Sequence, residues 1–160
     1  MIYKDGVKQE KYGWRDESIS RRHRLYGRAC TMVDLDFIVI EYHLKEVVAL
    51  IEYKHERGEV NFNVNDSNYQ ALISLGDRSG LPFFVVFYNP DSWTYKIHPM
   101  NKNAFKWIGE PSSFEERDYV RFLYKIRYIK IKEEILDKIP PIHIPQENNE
   151  SNMSKMHLDT

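Results

Sequence analysis

The sequence predicts an α/β domain built on a mixed β-sheet flanked by helices. Three observations carry that reading. Residues 34–41 alternate with period two, the pitch of a half-buried strand. Residues 83–88 (Phe-Phe-Val-Val-Phe-Tyr) are apolar nearly throughout, as in a strand covered by helices on both faces. Around these runs lie segments with apolar residues at helical spacing, so strands and helices interleave along the chain.

Asp16 and Ser18 are N-cap types ahead of Ile19, His23 and Tyr26, which recur at helical spacing, and Gly27 suits a stop; residues 17–26 read as a helix. From there the period changes. Asp34, Asp36, Ile38 and Ile40 fall on one strand face, with Leu35, Phe37, Val39 and Glu41 on the other. A polar break at residues 43–46 precedes a second strand over residues 47–54, and the two form an antiparallel hairpin. The Asn- and Asp-rich residues 61–68 make a loop whose end caps a helix over residues 67–77, with Tyr69, Leu72, Ile73 and Gly76 on one side. Gly80 and Pro82 introduce the apolar strand, and Asn89-Pro90-Asp91 turns the chain into another strand at residues 92–98. Residues 99–108 hold a short helix. Phe122, Ile126 and Ile129 predict one long amphipathic helix across residues 114–137. Residues 140–160, with Pro140, Pro141, Pro145 and a polar run, have little to bury and are expected to be disordered, leaving a single domain over residues 1–139.

Bulk composition excludes some function classes. With 42% hydrophobic and 29% charged residues in 160, the chain matches a globular domain and not a disordered or membrane-spanning one. Cys30 is the single cysteine, so no internal disulfide forms, and the first fifteen residues carry charges where a signal peptide needs an apolar run. A reducing cytoplasm is the expected compartment. The net charge of -1 is a cancellation of blocks: residues 1–33 hold 8 basic and 4 acidic groups, 34–116 hold 7 and 13, 117–132 hold 6 and 1, and 133–160 hold 2 and 6. The first basic block contains Arg21, Arg22, His23, Arg24 and Arg28; the second strings Arg117, Arg121, Lys125, Arg127, Lys130 and Lys132 among aromatics. Phosphate backbones attract such clusters, although a basic run also serves as a solvated helix face.

The hairpin carries the chemistry. Glu52 and Lys54, two apart on a strand, project from one face yet close a run of core residues. The hairpin brings the start of its first strand beside the end of its second, so Asp36 is expected near Glu52. Two carboxylates and an ammonium at a sheet edge suit a divalent ion, since Mg²⁺ takes hard oxygen ligands and Lys54 can neutralise charge at a phosphate. Zinc is not indicated, because Cys30 is alone and the six His are scattered. No Gly-rich phosphate loop and no Ser/His/Asp nucleophile order is present.

With Asp36, an apolar Phe37 to Ile40 run and Glu52-Tyr53-Lys54, the chain resembles the PD-(D/E)XK nuclease superfamily, whose restriction-endonuclease-like core is a helix, a three-strand meander, a helix and a strand. The likeness spans residues 17–88 and is to small Holliday-junction-resolvase-like or phage nucleases. It implies that Asp36, Glu52 and the Tyr53 backbone carbonyl bind Mg²⁺, for which Mn²⁺ can substitute, and that Lys54 is catalytic. Leu35 stands where the family has Pro, which leaves Asp34 as a competing metal ligand. Gln70 fits the polar position on the helix after the Lys, and Glu17 is the acid available on the first helix. Arg21, Arg22, His23, Arg24 and Arg28 are then the nucleic-acid-binding residues. The implied activity is Mg²⁺-dependent hydrolysis of DNA phosphodiesters, on branched or junction DNA, by a homodimer; RNA chemistry at phosphate is the same. The alternative, from another class, is a noncatalytic nucleic-acid or protein-binding module on the same fold, with Tyr and Arg side chains stacking on bases.

Overall fold

The apolar residues Phe83 to Phe87 lie in the middle of a five-stranded sheet, and all five are buried. Alternate side chains of one strand leave on opposite faces, so burial of every residue requires cover on both sides. That condition organises the remaining elements. A computed structural model of the chain describes residues 3, 4, 7, 8, 22, 25, 26, 33 and 35–140.

The chain divides into two units, residues 1–34 and 35–160. In the first, β1 (Tyr3–Lys4) pairs antiparallel with β2 (Val7–Lys8), Tyr3 facing Lys8, and the Leu25 N–H donates to the Arg22 carbonyl at 3.0 Å. The rest of the helix expected over residues 17–26, with Glu17, Arg21, His23 and Arg24, lies outside the described residues, as do Arg28, Asp34 and residues 141–160.

In the second unit the order is β3 (Phe37–Glu41), β4 (Glu46–His55), a 3-10 turn (Glu56–Asn61), α1 (Ser67–Ser79), β5 (Phe83–Asn89), β6 (Thr94–Pro99), α2 (Lys102–Phe105), β7 (Ser112–Glu115), α3 (Glu116–Lys125) and α4 (Glu133–Leu136). The strands lie side by side as β3-β4-β5-β6-β7, and β4 and β5 form the one parallel pair. A parallel pair needs a long crossover, which the 3-10 turn and α1 provide. This is an α/β architecture with a mixed sheet flanked by helices. Of the meander expected before α1, the described residues contain the hairpin β3–β4.

On one face Ala49, Ile51, Phe84, Val86 and Ile97 meet Ala104 and Ile108 and the helix residues Tyr119, Phe122 and Ile126. The Val, Ile and Phe side chains among them contribute about 1.5–3 kcal/mol each when fully buried. The other face is covered over β5 by α1, which buries Leu72 and Gly76. Asp66 caps α1 by accepting from the Asn68 N–H at 2.8 Å. Gly80 (φ 70) closes it in a Schellman arrangement, with the Leu81 N–H donating to the Gly76 carbonyl at 2.8 Å and the Gly80 N–H to Asp77 at 3.3 Å. Asn101, 4% exposed, staples the junction: Oδ1 accepts from the Phe83 and Ala104 N–H groups, and Nδ2 donates to the Leu81 carbonyl.

Several elements differ from the sequence expectation. The single helix over residues 114–137 is instead a strand, β7, followed by α3 and the separate α4. α3 stops because Tyr128 (φ 56) takes the left-handed position of a second Schellman cap, its N–H bonding Lys125 at 2.9 Å and the Ile129 N–H bonding Tyr124 at 3.2 Å. That position normally signals itself with Gly, and the strain of about 1–3 kcal/mol is offset by burial of Ile126 and the Trp107 ring against Tyr128. β7 carries too little alternation to be read as a strand; pairing with β6 creates it. β3 begins at Phe37 and not at Asp34, leaving Asp36 in a bend. No helix among the described residues is long and apolar enough to cross a membrane.

Candidate functional site

In the hairpin register Phe37 faces Ile51 and Ile38 faces Leu50. One further step along that register sets Asp36 opposite Glu52, and opposed residues of an antiparallel pair send their side chains to the same face. Asp36 Oδ2 accepts the Tyr53 backbone N–H at 2.9 Å, while the Asp36 N–H donates to Glu52 Oε2 at 3.3 Å. These two bonds clamp the bend before β3 onto the end of β4.

Tyr53 contributes backbone. A strand residue directs its N–H and C=O toward the same neighbouring strand, so the Tyr53 carbonyl faces the side on which its N–H meets Asp36. β3 has its first paired residue at Phe37, and no described backbone N–H bonds that carbonyl. Its ring leaves on the opposite face, where its hydroxyl meets the Tyr119 hydroxyl at 2.5 Å and Phe37 packs edge-on at 5.1 Å. Tyr119 in turn stacks on Tyr95 at 4.1 Å. Burial raises the Tyr53 and Tyr119 phenols above their ordinary range and pushes Tyr95 up to about 12, so all three stay neutral and act as packing and hydrogen-bonding groups.

Lys54 shares the carboxylate face. Its Nζ lies 2.5 Å from Glu52 Oε1; the Glu52 side chain is 10% exposed and that of Lys54 40%. Partial burial pulls the Lys54 pKa down, but the hydrogen bond and charge of Glu52, with Tyr69 and Asp36 adding to them, outweigh it and hold the group above its ordinary value. Lys54 is therefore a fixed ammonium at neutral pH and not a proton acceptor.

Gln70 is not gathered into this cluster. It is exposed, and its amide donates to the Val64 carbonyl at 2.8 Å, within the approach to α1. The neighbouring Tyr69 is the α1 residue whose hydroxyl feels the charges of Lys54 and Glu52. A helix residue one position away points about 100° elsewhere, so the spacing that reaches the sheet selects Tyr69. The signal in the sequence is helical spacing, which groups Tyr69 with Leu72, Ile73 and Gly76 on one side of α1. Asp34, Arg21, His23, Arg24 and Arg28 lie outside the described residues, and Arg22 is exposed.

The second basic block is partly committed to structure. Arg117 pairs with Asp137 at 3.2 Å and Arg121 with Asp118 at 2.7 Å. Arg127 donates to the Ile40 carbonyl at 3.0 Å and to the Leu123 carbonyl at 2.5 Å, tying the end of α3 to β3. A further charged group was not anticipated: Glu59 Oε1 takes Lys96 at 2.5 Å and His98 at 2.9 Å, pinning the 3-10 turn to β6.

Among the described residues no three His, Cys, Asp or Glu side chains gather into a metal cage. The donors available at the hairpin are two carboxylates and one backbone carbonyl, an all-oxygen set. Asp36 Oδ1 has no hydrogen-bond partner among the described residues, whereas Glu52 already accepts from Lys54 and from the Asp36 N–H. This set fits a small hard cation such as Mg²⁺, which binds through one or two carboxylates and keeps several waters. Comparison with protein-family models, with curated proteins and with solved structures gives no match for the chain.

Proposed function

We propose that the protein is a Mg²⁺-dependent nuclease of the PD-(D/E)XK kind, hydrolysing phosphodiester bonds in DNA. The observation that carries this reading is the opposition of Asp36 and Glu52 across the hairpin with the Lys54 ammonium on the same face. The order of hairpin, α1 and a β5 parallel to β4 agrees with the restriction-endonuclease-like core, to which the chain is assigned by resemblance.

In this reading Asp36, Glu52 and the Tyr53 carbonyl would hold the ion, which when bound would supply activation of water near neutral pH and charge relief at the phosphoryl oxygens. The Asp36 carboxylate is oriented by the Tyr53 N–H. Lys54, held protonated, stabilises negative charge developing on the phosphate as the water oxygen bonds to phosphorus, one P–O ester bond breaks, the water proton passes to solvent and the leaving oxygen takes a proton from solvent. Arg21, Arg22, His23, Arg24 and Arg28 grip the phosphate backbone. Branched or junction DNA as the substrate, and a homodimer presenting two sites, belong to the proposal through the same resemblance.

The test is cleavage of labelled duplex, flap and four-way-junction DNA, and of RNA, with Mg²⁺ or Mn²⁺, comparing wild type with Glu52→Ala and Lys54→Ala. Each variant is expected to cut at least about a hundredfold more slowly, the scale of losing a preorganised electrostatic group. Wild-type rates in both variants, or no cutting of any substrate by wild type, would refute the assignment. The closure of Lys54 onto Glu52 favours, as a second reading, a noncatalytic binding module on this fold. Such a module would keep its DNA affinity when Asp36 and Glu52 both become Ala.

A further inference from the structure

We propose that Tyr69 is a substrate-contacting residue at the same hairpin edge, its phenol hydroxyl donating to a non-bridging oxygen of the nucleic-acid phosphodiester that Lys54 faces. The inference rests on the nuclease reading for the identity of the ligand, but its geometry is independent of any metal.

Tyr69 sits in the first turn of α1, half-buried, with its ring edge-on to Phe62 at 5.3 Å. Phe62 packs in the same way on Phe87, also at 5.3 Å, and on the imidazole of His98 at 5.1 Å. Phe87 is the register partner of Lys54 across the parallel β4–β5 pair. The aromatic chain from β5 through Phe62 therefore seats the Tyr69 ring over the face that carries Glu52 and Lys54. A ring fixed in this way donates a hydrogen bond at little entropic cost, because its rotamer is already chosen by packing.

The hydroxyl is an unspent donor. It has no hydrogen-bond partner among the described residues. Burial, with the charges of Glu52 and Asp66, raises its pKa against the opposing pull of Lys54, so it keeps its proton at neutral pH. Of the three Lys54 N–H groups, one is directed to Glu52. A phenol donor and an ammonium with spare donors on one face of the sheet match an anion that offers several acceptor oxygens. A phosphodiester is such an anion.

The experiment measures binding apart from cutting. Fluorescently labelled 20-nucleotide DNA and RNA duplexes are titrated with wild type, Tyr69→Phe and Asp36→Ala in Ca²⁺, and Mn²⁺ affinity is measured in parallel by calorimetry. Tyr69→Phe keeps the ring and removes the donor. It is expected to bind at least one of the two duplexes about ten- to a hundredfold more weakly, the value of a hydrogen bond to a charged group, with Mn²⁺ affinity and melting temperature unchanged. The loss on DNA or on RNA identifies which polymer supplies the phosphate. Wild-type affinity of Tyr69→Phe for both duplexes overturns the proposal, as does failure of wild type to bind either. Unchanged Mn²⁺ binding in Asp36→Ala overturns the metal site instead and leaves the Tyr69 result standing.

Discussion

Replacing Lys54 by Met tests how the hairpin edge holds its charges. The stem is retained in length, so the methylene packing on the sheet survives while the ammonium is lost. Glu52, whose side chain is 10% exposed, then keeps a buried negative charge without its 2.5 Å partner. Breaking a fully buried pair costs about 3–5 kcal/mol, and an exposed pair contributes about 0–1 kcal/mol. Lys54 is 40% exposed, so solvent already screens part of the interaction and the expected loss is about 2 kcal/mol at pH 8. That is roughly a thirtyfold change in the unfolding constant, or about 4–8 °C in melting temperature for a domain of this size. The penalty depends on pH with a definite sign. The raised Lys54 pKa sets it: the stabilisation is complete below the ordinary lysine value of 10.5 and is lost as pH rises through the folded-state value. Urea unfolding of wild type and Lys54→Met at pH 8 and pH 12 measures this, and the gap between the two proteins is expected to shrink at the higher pH. An equal loss at the two pH values, or a variant more stable than wild type at pH 8, would refute the idea that the Lys54 ammonium stabilises the hairpin edge through Glu52.

Other consequences are as direct. Asn101→Ala orphans the Phe83 and Ala104 N–H groups and the Leu81 carbonyl, and calorimetry is expected to show a loss of about 3 kcal/mol or more, since each buried unsatisfied group costs about 1–3 kcal/mol. Gly76→Ala, which would gain about 1 kcal/mol in an isolated helix, is expected to lower the melting temperature, because the new Cβ would lie 2.7 Å from Asn101 Nδ2 and 3.0 Å from the Leu81 carbonyl oxygen. Partial burial works to raise the Glu59 pKa, but its bonds to Lys96 and His98 outweigh this and hold it below the ordinary 4.5. Its stabilisation is therefore present above pH 4.5 and lost as pH falls through the folded-state value, and the stability gap between wild type and Glu59→Gln should shrink from pH 7 to pH 3 in chemical denaturation.

Much of this molecule was legible from period and punctuation. The two-residue alternation before Glu41, the apolar run at β5 and the Gly80 stop all describe backbone states that neighbouring residues themselves favour. The proximity of Asp36 to Glu52 was legible as well, because a hairpin relates its strands by simple counting. Gln70 shows the limit: adjacent helix residues look alike in a sequence, and the packing of Phe62 against α1 and β5 is what aims Tyr69 at the sheet.

By itself the sequence determined the alternation of strand and helix, the hairpin and the residue types at its edge, since these follow from interactions within a few residues. Only the tertiary structure decided where α3 ends, that residues 112–115 become a strand, and which cations are spent on Asp137 and the Ile40 carbonyl. Tyr128 adopts a left-handed backbone that its own chemistry disfavours, and Arg127 bonds a carbonyl 87 residues away. Both are stabilised by partners remote in the chain, and no local pattern encodes a partner that folding alone brings near.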